Sequence, residues 1–178
     1  MNTETTAQYS REEPDLDIYP ECRDILAFWE GLRAGAVAPP WQSFDWSPVP
    51  SNIIPYCGVV DIRRDPLDFI YRFWGSAHVK AHGQELTGKS VKDMRPIAES
   101  ESVFAQYRET LEAGRPLFFI NLLHVGQART PYKEVSLRLP FSSDGRNIDI
   151  LFAFSDLRLN IEALVEEFEI DSEDRETA

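Results

Sequence analysis

The stretch FIYRFWGSAHVKAHGQELTGKSV, Phe69 to Val91, sets the fold expected of this chain. Phe69 to Trp74 alternates and is rich in aromatic and β-branched residues, the composition of a strand, because such side chains pack well on a pleated surface. Gly75-Ser76 ends it. Ala77 to His82 suits a short helix, and Gly83, with no Cβ to clash, supplies the left-handed position at which helices commonly stop. Leu86-Thr87-Gly88 makes a second tight corner. A strand running straight into glycine-terminated turns folds back over one face of a sheet, and the hollow beneath is a place for a small molecule.

Working outward, Cys57 to Arg63 reads as the preceding strand, joined to Phe69–Trp74 by the turn residues Asp65-Pro66-Leu67-Asp68 as a hairpin. Downstream, Ile97 to Ala113 places Val103, Phe104, Tyr107 and Leu111 on one helical side, with Gly114 at the end. Three further strands follow, Arg115 to Val125, Tyr132 to Phe141 and Asn147 to Asp156, the last two joined through Ser143-Asp144-Gly145-Arg146. LFFINLLHV and IDILFAFSD are apolar at nearly every position, so their sheet needs cover on both faces. The crossover can cover one face. A helix opening at Pro20, with Ile25, Leu26, Phe28, Trp29 and Leu32 at helical spacing, can cover the other. Between them, Pro39, Pro40, Pro48, Pro50 and Pro55 interleave with Trp41, Phe44 and Trp46 and forbid regular structure, predicting an extended arm laid on the domain.

The domain therefore spans 18–157. Residues 1–17 are polar, acidic and aperiodic and are expected to be a disordered tail. Residues 158–178 carry Ile161, Leu164, Val165 and Phe168 at the spacing of a C-terminal amphipathic helix, followed by an acidic end.

This order of elements resembles the PAS family, and in detail the small stand-alone bacterial PAS proteins whose second strand ends in Gly-Ser or Gly-Thr before a G-x-x-L-T-G turn. The residues that carry the resemblance are Tyr71-Arg72, Gly75-Ser76, and Gly83 with Leu86-Thr87-Gly88-Lys89; more weakly it extends from Ile25 to Leu157. It implies an α+β fold with a five-stranded antiparallel sheet in the order 2-1-5-4-3. It also implies a homodimer or protein partner met through the N-terminal helix, Glu21 to Leu32; packing of that helix within the chain is the alternative.

Composition narrows the function. A chain of 178 residues is long enough for one well-buried core, and 43% hydrophobic with 27% charged residues is ordinary for a soluble domain. No apolar run approaches the ~20 residues that span a bilayer. The first twenty residues contain acids and no apolar core, so a secretory signal is not expected and a cytoplasmic location is. A net charge of -12 opposes binding to nucleic acid or to anionic lipid. Cys22 and Cys57 have no metal-like spacing and read as reduced, buried thiols.

Candidate chemistry concentrates around the crossover. His78 and His82 lie four residues apart, on one helical face, the spacing of paired metal ligands, but no cysteine or carboxylate nearby in sequence completes a set. His124 stands alone at a strand end. No cofactor is required: haem is not favoured without further ligands, nor flavin photochemistry without a cysteine in the crossover. G-x-S-x-G, a phosphate-binding loop and a dinucleotide glycine fingerprint are missing. Ser76 beside His78 is better read as a helix cap than as a nucleophile. Arg72, on the face of Ile70 and Trp74, either binds a ligand carboxylate bidentately or pairs with Asp61 or Glu134. Asn121, within FFINLLHV, poses the same choice. Arg72, Trp74, His78, His82, Phe104, Tyr107 and Asn121 are thus the candidate pocket, for a ligand with an apolar body and one acidic or polar head.

The reading that follows is a non-enzymatic PAS sensory or signalling module that binds a small ligand, a protein partner, or both. A purely structural protein–protein adaptor with a side-chain-filled core is the alternative, and a small α+β enzyme of unknown class a third.

Overall fold

The computed structural model describes residues 6–13, 15–124 and 132–158. The expected C-terminal helix falls outside these residues. The elements are β1 (Thr6–Glu12), α1 (Pro20–Arg33), β2 (Cys57–Arg64), β3 (Leu67–Trp74), α2 (Ser76–His82), α3 (Ile97–Ala113), β4 (Leu117–His124), β5 (Tyr132–Phe141) and β6 (Ile150–Asp156), with single 3-10 turns at Trp41–Ser43, Ile54–Tyr56 and Val91–Asp93. The fold is α+β. Its strands form one antiparallel sheet in the order β1-β4-β5-β6-β2-β3.

Six strands stand where five were expected, and the extra one corrects the reading of the N-terminal tail. Thr6–Glu12 pairs antiparallel with β4, Tyr9 opposite Asn121. The Tyr9 ring meets Phe119 edge-on at 5.6 Å, and its hydroxyl donates to Glu109 Oε1 at 2.5 Å. An edge strand needs only one covered face and gains its order from backbone pairing, so TAQYSRE carries almost none of the apolar alternation that marks a central strand.

Alternation along β5 explains the two layers. Val135, Leu137, Leu139 and Phe141 face α1, where they join Cys22, Ile25, Trp29, Val59, Phe152 and Phe154. Trp29 is buried, and its indole Nε1–H donates to the carbonyl of Pro140 at 2.7 Å. The proline-rich arm closes this face: Trp41 stacks on Phe44 at 4.8 Å, Phe44 meets Trp46 edge-on at 5.0 Å, and Trp46 lies 5.1 Å from Phe73. Trp41 N–H to Ser142 O (2.8 Å) and Ser142 N–H to Pro39 O (3.0 Å) tie the arm to the end of β5.

The opposite face lies under α2 and α3. Val60, Phe69, Tyr71, Leu151 and Ala153 of the sheet pack there with Leu86, Val91, Met94 and Tyr107. The face of α3 turned to the sheet is more polar than expected: Ser100, Gln106 and Thr110 are buried beside Tyr107, whereas Val103, Phe104 and Leu111 are only partly covered.

The junction between β3 and α2 depends on Gly75. A Cβ placed there would lie 2.1 Å from the carbonyl oxygen of Pro55 and 2.7 Å from that of Cys57. Gly75, not Ser76, is the N-cap, and Ser76 is the first helical residue, so the expected serine cap is not formed. The left-handed Gly83, φ 61°, ends α2.

Candidate functional site

β5, β6, α2 and α3 converge on a small cavity of about 20 Å³. Its walls are Gly58, Tyr71, Trp74, His78, His82, Met94, Glu99, Val103, Tyr107, Glu134, Arg138, Ala153 and Ser155. Strand alternation delivers Glu134 and Arg138, which with Ser136 behind the wall occupy the β5 positions between the apolar residues that face α1. Helical spacing delivers five more: His78 and His82 sit one turn apart on α2, and Glu99, Val103 and Tyr107 run along α3.

A polar network backs the cavity. Asn121 Oδ1 accepts from Gln106 Nε2 at 2.6 Å, and Asn121 Nδ2 donates to Ser136 Oγ at 2.9 Å and to Glu134 Oε1 at 3.2 Å. Ser136 Oγ lies 3.0 Å from Ser155 Oγ and donates to Glu134 at 2.6 Å. Arg138, 3% exposed, donates through Nη1 to Ser155 Oγ at 3.2 Å and through Nη2 to Gln106 Oε1 at 3.1 Å, with its guanidinium carbon 4.9 Å from the Tyr107 ring centroid. Its Nε is buried and has no hydrogen-bond partner among the described residues. No carboxylate among these residues lies within ion-pair distance of it.

The histidines differ in kind. His78 Nε2 lies 3.1 Å from the Tyr56 carbonyl and must be the donor, which in the neutral ring leaves Nδ1 as an acceptor. Burial, then the charge of His82, pushes its pKa down to about 3. His82 Nδ1 lies 3.3 Å from Glu99 Oε2. Burial lowers the pKa of His82, but the Glu99 side chain beside it, helped by Glu134, outweighs burial and raises the value. Burial likewise raises Glu134, against the opposing effects of Ser136 and Arg138. Burial also raises Tyr71 and Tyr107. The Trp74 and His78 rings stack at 4.4 Å, and His78 and His82 lie near-parallel at 6.2 Å.

Of the residues expected to line the pocket, Trp74, His78, His82 and Tyr107 come together. Arg72 does not: it is exposed and pairs bidentately with Asp61, Nη2 to Oδ1 at 2.5 Å and Nε to Oδ2 at 3.2 Å. The cause is a bulge. Val59 opposes Phe73 and Val60 opposes Tyr71, so Arg72 is the extra residue and the expected alternation with Trp74 is broken. Phe104 turns to Phe69, edge-on at 5.0 Å, and lies under the Lys92 ammonium at 4.9 Å. Asn121 sits behind the cavity in the network. Arg138, Glu99 and Gln106 were missed. The signal for Arg138 is the period-two run Glu134-Val135-Ser136-Leu137-Arg138-Leu139, which puts three polar groups on one strand face.

Among the described residues, no three His, Cys, Asp or Glu side chains are grouped to hold a metal ion. No helix among them is long and apolar enough to cross a membrane. Cys22, on α1, and Cys57, at the start of β2, are free thiols buried in the core between α1 and the sheet, with burial raising each to about 12. No protein-family model, curated protein or solved structure matches the chain.

Proposed function

We propose that this chain is a non-enzymatic, PAS-like sensory module that binds a small molecule in the cavity beneath α2 and α3 and signals its presence to a protein partner. The observation that carries the reading is Arg138. A guanidinium 3% exposed, without a carboxylate in ion-pair range and with its Nε unmatched among the described residues, is costly unless something else satisfies it. A ligand oxygen presented to Nε supplies that partner.

Strand order adds support. With β1 set aside, the neighbours run β3-β2-β6-β5-β4, which is the relation written 2-1-5-4-3 for the strands of the resemblance, and the crossover falls between β3 and β4. The ligand carries a polar head for Arg138 and an apolar body against Trp74, Met94 and Val103. At about 20 Å³ the cavity holds little more than a water, so binding displaces side chains. Met94, unbranched and adaptable, is the first to yield.

The small cavity is also what favours a second reading, a structural adaptor whose core is filled by its own side chains. In both readings α1 offers a partner only its outward side, around Arg23, Asp24 and Glu30, because Ile25 and Trp29 are buried on the sheet. A thermal-shift screen of metabolites against the protein and its Arg138→Met variant separates the readings. The sensory module predicts compounds that raise the melting temperature of the protein and not of the variant. No shift by any compound supports the adaptor.

A further inference from the structure

We propose that the buried His82–Glu99 pair is a proton-operated latch that holds α2 down on α3 and thereby controls access to the cavity. The proposal concerns the regulation of the site described above and rests on the ligand-binding reading.

Its geometry is that of a short flap fastened at both ends. α2 is seven residues long, set between Gly75 and the left-handed Gly83. Its first turn is held by the hydrogen bond of His78 Nε2 to the Tyr56 carbonyl, 3.1 Å, and its last faces α3 through ion-pair contact of His82 Nδ1 with Glu99 Oε2, 3.3 Å. Trp74, immediately before α2, is a wall shared by two spaces. On one side is the 20 Å³ cavity; on the other is an open groove of about 540 Å³ bordered by Ile54, Pro55, Phe73 and Val79. The indole Nε1–H of Trp74 donates to the carbonyl of Gln84, just past Gly83, at 3.0 Å. Lifting the end of α2 therefore loosens the wall, and the groove opens into the cavity.

Several charged and titratable groups share the cavity with His82: Glu99 and Tyr107 from α3, Glu134 and Arg138 from β5, Tyr71 from β3 and His78 from α2 itself. The carboxylates prevail, so the charged imidazolium is favoured. Loss of its proton removes the attraction between the imidazolium and the buried Glu99 side chain, which is strong where water is excluded. The sign is then fixed. With the folded-state value raised above that of a free imidazole, the latch holds at lower pH and weakens as pH rises through the titration of His82.

Amide hydrogen exchange of the ligand-free full chain from about pH 5 to about pH 9 tests this, because that span brackets an imidazole titration. After correction for intrinsic exchange, protection of the α2 amides falls with rising pH by up to about tenfold per pH unit, then levels off. Glu99→Gln lowers that protection and removes its pH dependence. The His82 imidazole NMR shift provides a second reading that needs no variant, and its titration coincides with the loss of α2 protection. Flat α2 protection, or the same fall in Glu99→Gln, overturns the latch. Since no ligand is present, these outcomes are independent of the metabolite screen.

Discussion

Gln106 of α3 and Asn121 of β4 are joined side chain to side chain at 2.6 Å, and Gln106 also accepts from Arg138 of β5 at 3.1 Å. One amide thus fastens the long helix to two strands, using its oxygen for an arginine and its nitrogen for an asparagine. Thr110 Oγ1 donates to the Gln106 carbonyl at 2.8 Å, which places a further hydroxyl on the same buried turn. The contact that docks α3 is polar where an apolar seam was expected, and the cavity exists because that network does not fill the space between it and Trp74.

Arg138 is predicted to matter through what its loss leaves behind. Arg138→Ala strands Gln106 Oε1 and opens space beside Tyr107, at a cost of about 3 kcal/mol in urea unfolding. Arg138→Met keeps most of the volume and removes a buried charge, so it costs clearly less. Equal losses from the two variants contradict the account.

Gly75→Ala is predicted to destabilise by about 3 kcal/mol, because overpacking against rigid backbone cannot be relieved by a side-chain rotation. The Pro55 carbonyl, 2.1 Å from the added carbon, belongs to the 3-10 turn that enters β2. A melting temperature equal to that of the parent protein contradicts this.

Trp29→Phe keeps an aromatic ring in the α1 face and removes the donor to the Pro140 carbonyl. A loss of about 2 kcal/mol is expected, from the unmatched buried acceptor and the smaller ring. Light scattering of the same variant shows the parent's molar mass, since this side chain is buried in its own domain.

The two cavity histidines are predicted to limit stability from opposite sides. His78 has a folded value near 3 against an ordinary 6.5, so its contribution is intact above about pH 6.5 and is lost as acid charges the unfolded chain, by up to about 1.4 kcal/mol per pH unit. Glu134, raised by burial, acts in the opposite sense in acid and flattens that limb. His82, raised, contributes below its unfolded value and loses the contribution as pH climbs through its folded value. Urea unfolding across pH checks this: His78→Phe flattens the acid limb and His82→Gln the alkaline one, and limbs unchanged in both contradict the assignment.

Much of the scaffold was legible in the residues. Asp65-Pro66 marks the hairpin that joins β2 to β3, and α3 runs over the expected Ile97–Ala113 with a left-handed Gly114 beyond it. What escaped was non-local. The bulge at Arg72 is one extra residue in β3, invisible in either strand alone; it carries Trp74 onto the cavity face beside Tyr71 and leaves Arg72 with Asp61, the pairing that stood as the alternative to a ligand. Arg138 takes the buried place because Gln106 and Ser155, 32 and 17 residues away, supply its acceptors. β1 escaped because an edge strand can be specified by its neighbour's backbone.

The central claim is that a small molecule meets Arg138 Nε in the space between Trp74 and Tyr107. A crystal structure of the protein purified from its native host tests it most directly. The account predicts non-protein density larger than water within hydrogen-bonding distance of that nitrogen, with Met94 or Val103 displaced to admit it. Side chains as described, with water alone against Arg138, would contradict it.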